Sequence, residues 1–508
     1  MRLAELIGTL SLATDAGTGL PDFHALRSAT LAAGLAQELG ADERTVRDAF
    51  YLPLLALAGC TAESHTSAEM LGDEVAIGTE SYGSDWGNPG EMFPIVLRLL
   101  RRGRGPLGGL WAVARSMSKM SHGPTVGRAH CEVASHLAER FGFDEAFRAA
   151  VFQAFERWDG SGKPLRVKGE AIAYGMRIAS VAIDANIGHR LGGVDGASAL
   201  VKKHAGQGLD PAVAERFARA AKTLCAPLEA PSPWLTALAA EPQPWREVDD
   251  VGITEGLRAI AHFTDLKCRF THTHSAGVSL LAEAAAKRLG MGSDWERTLA
   301  GAGLVHDVGR VATTATIWEK VQPLTDAERE KIRLHTYVGE RVLSLSPSLR
   351  GVAEIASAAH ERLDASGYHR RLPAAACTMA LRVLAASDVY HALREARPQR
   401  AAFEPDQAAT ELSAMATRGE LCPEAVGAVL GAAGHAVKGS KRPHGLTDRE
   451  VQVLGLLVRG LTNKEIASEL DISTKTAGHH VQHLLEKLGV TTRAAATMIA
   501  MRAGITHV

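Results

Sequence analysis

The sequence predicts an all-α chain, and three observations carry the prediction. Apolar residues recur at helical spacing, as in Val278-Ser-Leu-Leu-Ala-Glu-Ala-Ala-Ala-Lys-Arg-Leu289. Few segments alternate apolar and polar residues as half-buried strands do. Near the end of the chain, cap residues stand just ahead of apolar-periodic runs, at Thr447, Thr462 and Ser473. At 508 residues the chain is too long for one ordinary core. Three helical domains are expected, over 1–225, 251–435 and 446–508. A Pro-rich linker is expected over 226–250, with Pro227, Pro231, Pro233, Pro242 and Pro244. A second linker is expected over 436–445, where Gly439, Ser440 and Pro443 lie among basic residues.

Bulk properties narrow the function. The formal net charge is −1, so there is no global basic field and any nucleic-acid binding must rest on a local patch. Six cysteines at 60, 131, 225, 268, 377 and 422 show no C-x-x-C spacing, which argues against zinc ribbons and a disulfide framework. No run of 18 apolar residues and no secretion signal are visible, so a cytoplasmic bacterial protein with no membrane partner is expected.

The C-terminal elements follow in order. Thr447 caps a first helix with Glu450 as its capping-box partner, and Val451, Leu454 and Val458 share a face. Gly460 ends that helix. Thr462 caps a second, which buries Ile466, Ala467 and Leu470. After a turn through Ile472, Ser473 caps a third helix that buries Ala477, Val481, Leu484 and Leu488. Lys475, Thr476, His479, His480, Gln482, His483 and Lys487 lie on its other face. A helix entering the major groove needs donors near its N-terminus and basic groups in reach of phosphates. Lys475, Thr476, His479, His480 and Lys487 are therefore the expected DNA contacts.

This segment resembles the LuxR-type (GerE-like) helix-turn-helix domain of transcription regulators. The resemblance implies double-stranded DNA as partner and a homodimer on DNA, with a fourth helix from about Thr492 offering Met498, Ile499 and Met501 as the dimer surface. The segment departs from the family at Ala477, usually β-branched, and at Gly478, usually polar or basic.

The middle of the chain carries Gly303-Leu-Val-His-Asp-Val-Gly-Arg310. A His-Asp pair inside an apolar helix is costly unless something compensates the buried charge, and a metal does so. His274, His335, His360 and Asp388 are further candidates, giving with His306 and Asp307 four imidazoles and two carboxylates. That donor set suits iron, manganese, zinc or nickel. Asp307 is placed to bridge two ions.

Residues 260–400 resemble the HD phosphohydrolase superfamily and, more narrowly, its HD-GYP branch. The resemblance rests on Phe270-Thr-His-Thr-His-Ser, His306-Asp307-Val-Gly-Arg310, Leu324-Thr-x-x-Glu328, His335 with Gly339, His360-Glu-Arg-Leu-Asp364-Ala-Ser-Gly367-Tyr368-His369, Ser387-Asp388-Val-Tyr-His-Ala-Leu and Arg397-Pro-Gln-Arg400. It implies metal-assisted phosphodiester hydrolysis with two divalent ions, Asp307 and Arg310 in the catalytic machinery, and a cyclic dinucleotide or other phosphorylated small molecule as ligand. Four positions depart from the branch. Ala359 precedes His360 where a second His is usual, Arg310 stands for Lys, His369 for Pro, and Phe270 where three-metal members carry Glu.

The first 225 residues repeat the plan in degenerate form. Glu156-Arg-Trp-Asp159-Gly-Ser-Gly162-Lys-Pro164 parallels Glu361 to His369, and His24 and His130 stand at the intervals of His274 and His335. Asp184 lies one place off register from Asp388. Ala56, Leu57 and Phe155 replace His306, Asp307 and His360, so His24, His130 and Asp184 are left to hold at most one ion. A Gly-rich insertion runs from about Gly72 to Gly109. The whole reads as two HD-superfamily helical domains in tandem followed by a four-helix DNA-binding domain. The resemblances imply a transcription regulator that senses or hydrolyses a phosphorylated ligand such as a cyclic dinucleotide; the alternative is an active phosphodiesterase with an accessory DNA-binding domain.

Overall fold

The computed structural model describes residues 1–508 except 63, 103–104, 120–122, 436–445, 491 and 503–508; some helix side chains, those of Met498, Ile499 and Met501 among them, are also outside it. The linker over 436–445 and the expected dimer surface therefore lie outside the described residues. Among these the fold is helical without strands, with three isolated bridges.

The helix Leu3–Thr18, which is buried on every face, packs against both halves. An all-round apolar helix belongs in an interior. Leu6 lies against the second half at Gly256, where an added Cβ would come within 2.0 Å of its side chain. Glu5 accepts from the Ser346 hydroxyl at 2.8 Å. One apolar core therefore runs from Leu3 to Leu430.

Residues 226–250, expected as a linker, are folded into this core. Pro227 and Pro233 open a 3-10 turn and the helix Pro233–Ala240, the position where proline's missing N–H costs nothing. Trp234 is buried beside Gly8. The Gly-rich insertion is also helical, with Glu74–Glu80, Pro89–Arg101 and the start of Pro106–Lys119, and the helix Ser64–Leu71 stands just ahead of it.

The halves share close local detail. Helices His24–Glu38 and His274–Arg288 each follow a buried aspartate, Asp15 or Asp265, that accepts the amide of Ala25 or Ser275. Gly59 and Gly309 lie so close to the carbonyls of His130 and His335 that a Cβ would meet either at 1.9 Å. Glu156 accepts the amides of Leu165 and Arg166, and Glu361 those of Arg370 and Leu372.

In the C-terminal domain the helices are Asp448–Val458, Asn463–Glu469, Thr474–Leu488 and Arg493–Arg502. The predicted capping box of Thr447 with Glu450 forms, Thr462 caps the second helix and forms a further box with Glu465, and Ser473 caps the third helix. The core of the first helix is Val453, Leu454, Leu456 and Leu457, with Val451 and Val458 at its border; the apolar run Val453 to Val458 leaves its phase ambiguous in the sequence. Ile466, Ala467, Ala477, Val481, Leu484 and Leu488 are buried as expected, and Leu470 is partly so.

Candidate metal centre and DNA-reading helix

Six side chains from five segments converge in the second half. His274 opens its helix. His306 and Asp307 stand where the helix Ser293–Val305 gives way to a 3-10 turn. His335 opens the helix His335–Leu343, His360 lies in the turn after Arg350–Ala356, and Asp388 projects from Met379–Arg394. The two carboxylates sit between the imidazoles. Asp307 Oδ1 is 3.1 Å from His335 Nε2 and 3.3 Å from His360 Nε2, while Oδ2 is 3.6 Å from His306 Nε2 and 3.7 Å from His274 Nε2. Asp388 is 3.2 Å from His274 Nε2, 3.1 Å from His360 Nδ1 and 3.7 Å from His306 Nε2.

The tautomers suit a cation. His306 Nδ1 donates to the Gly303 carbonyl at 2.9 Å and His335 Nδ1 to the Ile332 carbonyl at 2.6 Å, which leaves each Nε2 as the lone-pair nitrogen aimed inward. Both Nε2 atoms are buried without a hydrogen-bond partner, although His335 Nε2 is close to Asp307. Proximity without hydrogen-bond alignment is what two ligands of one cation show. His306, Asp307 and His360 form one group that could hold an ion, and His274, His306 and Asp388 another.

Charge reinforces the geometry. Burial opposes ionisation of Asp307, but the Arg310 guanidinium at 2.6 Å and the surrounding imidazoles hold its carboxyl well below the usual range. Burial likewise opposes charge on His274 and His360; their carboxylate neighbours outweigh it and push them up to about 9 and about 8. The site that attracts those protons attracts a divalent cation in their place, with proton release on binding.

Several flanking residues complete the centre, and of these Glu395 and Trp318 lie outside the motifs quoted above. Glu395 accepts from His274 Nδ1 at 2.9 Å, and a carboxylate at that nitrogen orients a metal-binding imidazole. His391 lies 3.4 Å from Glu395. Asp388, His391 and Glu395 are spaced i, i+3, i+7, so a helical-face count could have found them. Tyr368 stacks on His360 with centroids 4.7 Å apart. Arg310 lies 4.1 Å over the Trp318 ring, whose indole N–H donates to the Arg310 carbonyl at 3.1 Å. A cavity of about 650 Å³ adjoins His335 and Gly309, with Arg102 and Lys331 on its walls.

The first half has the shape of the centre without its donors. His130 and Phe155 pack edge to face at 4.8 Å, as His335 and His360 do at the same distance. His130 Nε2 is held by the Ala56 carbonyl at 3.0 Å, and burial pulls its pKa down to about 4. His24 hydrogen-bonds Asn186 and is pulled down to about 3, again by burial. Asp184 does not join them. It pairs with His204 at 2.6 Å, because nine residues into the helices that start at Tyr174 and Met379 stand Ile183 and Asp388. His24, His130 and Asp184 therefore do not form a shared site.

On the third C-terminal helix Lys475, Thr476 and His479 are exposed and His480 is half-buried. The Thr476 hydroxyl is 2.7 Å from that of the cap Ser473. Lys487 lies 2.7 Å from the buried Glu450, tying the third helix to the first capping box. Gly478 sits on this helix with room to spare, since a Cβ would meet only Asn463 Nδ2, at 3.6 Å. Gly478→Ala is therefore expected to stabilise the domain by on the order of 1 kcal/mol, seen as a higher melting temperature; a lower one would refute the packing described.

Comparison with known proteins agrees with this geometry. The HD-domain family matches residues 259–423, and the family of bacterial regulatory proteins, luxR family, matches 444–500. The 3′3′-cGAMP-specific phosphodiesterase 3 of Vibrio cholerae is 25% identical over 416 residues, which cover 80% of this chain and 89% of that protein. The nitrate/nitrite response regulator protein NarP of Escherichia coli is 49% identical over 57 residues, 11% of this chain and 26% of that protein. A crystal structure of a cyclic GMP-AMP specific phosphodiesterase of V. cholerae superposes with a TM-score of 0.58 at 21% identity, covering 86% of this chain and 98% of that one, and so shares the fold. No described helix is long and apolar enough to cross a membrane. The chain thus carries an HD domain of the kind found in metal-dependent phosphodiesterases, followed by a DNA-binding domain of the LuxR family.

Proposed function

We propose that this protein is a transcription regulator whose HD centre holds two divalent cations and binds and hydrolyses a phosphorylated ligand of the cyclic-dinucleotide class. The observation that carries the reading is the convergence of His274, His306, Asp307, His335, His360 and Asp388, with Asp307 in reach of four imidazoles. Iron, manganese, zinc and nickel all suit the donors. Such ions, when bound, supply Lewis acidity toward a phosphoryl oxygen and a water acidic enough to attack it.

The chain's own residues do the rest. Glu395 orients His274, and Arg310 keeps Asp307 ionised and oriented toward the imidazoles. The cavity beside His335 is of the size that takes a small-molecule ligand, and Arg102 and Lys331 suit a phosphorylated one. The cyclic-dinucleotide class is drawn from what the V. cholerae relative is named for. The first half is read as a degenerate HD copy over 1–225, supported by the matched His130–Phe155 and His335–His360 pairs. DNA occupancy by a homodimer, in the cytoplasm, is the output, and hydrolysis resets it.

The test is hydrolysis of 3′3′-cGAMP and cyclic di-GMP by purified protein, followed by chromatography, with metal content measured on the same samples. Two ions per chain and linear dinucleotide product are expected. Metal without product on either substrate would leave a ligand sensor, and no metal would remove the reading altogether.

A further inference from the structure

The geometry points to Glu74, on the inserted helix Glu74–Glu80 of the first half, as a positioning residue for the metal centre of the second. This rests on the proposed function above for its meaning, though not for its geometry. Lys267 is 2% exposed, and its ammonium has Glu74 Oε1 at 2.9 Å as its carboxylate partner; Glu74 is itself 7% exposed. The same carboxylate accepts the Ala315 amide at 2.7 Å and the Thr314 hydroxyl at 2.6 Å. Glu74 thus clamps two segments of the other half at once: the one leading to His274 and the one following Arg310.

The second clamp reaches the centre through three successive contacts. Thr314 and Ala315 start the short helix Ala315–Trp318. Trp318 lies under the Arg310 guanidinium and donates to its carbonyl. Arg310 donates to Asp307 Oδ2 at 2.6 Å. The helix just ahead of the insertion touches the same rim elsewhere, where His65 Nδ1 is 2.6 Å from Glu319 Oε2 and Glu319 in turn accepts the Arg269 amide at 3.1 Å. The ligand-poor half is therefore part of the frame that fixes Arg310 on Asp307.

A single loss of Glu74 would strand a buried ammonium, so the test pairs it with Lys267. Glu74→Leu with Lys267→Met removes both charge and clamp. Glu74→Gln with Lys267→Met removes the charges but keeps an oxygen for the Ala315 amide and an NH2 that can donate to the Thr314 hydroxyl. Two readouts serve: amide hydrogen exchange over 308–319, and Mn²⁺ affinity from the free-ion electron paramagnetic resonance signal. The Leu pair is expected to exchange faster over 308–319 and to bind Mn²⁺ roughly 10-fold more weakly, with the Gln pair close to wild type. Equal exchange and equal Mn²⁺ affinity in the Leu pair would overturn the proposal. If the Leu pair does not fold, Glu74→Ala with Lys267→Met, which removes the same acceptor and leaves the Thr314 cap on the Thr316 amide in place, is read by the same exchange criterion. Wild-type protein that takes up no Mn²⁺ counts against the metal centre, and the exchange comparison still decides the role of Glu74.

Discussion

Asp307→Asn is expected to abolish metal uptake and hydrolysis while leaving the protein folded. The carboxylate stands between His335, His360, His306 and His274, and no other side chain in the centre approaches all four of these imidazoles. Asparagine keeps the volume and an acceptor for Arg310 but loses the charge that faces a cation. Asp307→Ala is expected to cost stability as well, because Arg310 is 8% exposed and would be left as a buried charge without its partner. Breaking a buried pair from one side typically costs about 3–5 kcal/mol. Elemental analysis and thermal melting of both variants separate the two effects. Wild-type metal content in the Asn variant would remove Asp307 from the centre. DNA binding measured without ligand should be unchanged in either.

The second large effect concerns the reading helix. Lys475→Ala combined with His480→Ala is expected to weaken DNA binding by about 1–3 kcal/mol for each base-reading side chain removed, or roughly 5- to 150-fold for one of them. Where Lys475 meets a phosphate instead, affinity should fall evenly across sequences and the slope of log affinity against log salt should drop by about one. Metal content should stay at wild type, since these residues belong to a separate core. Binding titrations at several salt concentrations measure both quantities. Unchanged affinity at every concentration would take the third helix out of the groove. Lys487 is a poorer probe of DNA contact, because its ammonium is 2.7 Å from Glu450 and its removal would disturb the first capping box.

Much of the centre is legible in the sequence. A charged His-Asp pair in an apolar run signals something that compensates it, and the other four candidates, His274, His335, His360 and Asp388, are picked out by their order and spacing in the HD-like motifs. The all-helical class and the caps at Thr447, Thr462 and Ser473 are legible for the same local reason. What escapes is non-local or ambiguous. Prolines at 227 and 233 look like breakers, yet proline also starts helices, and only the burial of Trp234 decides between the two. Asp184 is one residue from the right register, and one residue on a helix turns a side chain by about 100°. Glu74 and Lys267 are 193 positions apart, and nothing in either neighbourhood names the other.

The buried helix Leu3–Thr18 also has a consequence for biosynthesis. It leaves the ribosome well before its partners Gly256, Val311 and Ser346. At roughly 5–20 residues per second those partners emerge tens of seconds later. Until then an apolar helix that needs cover on every side waits in water or on a chaperone. Expression of the first 225 residues alone would make that wait permanent, so the N-terminal half should appear in inclusion bodies when cut out and in solution when the first 435 residues are made together.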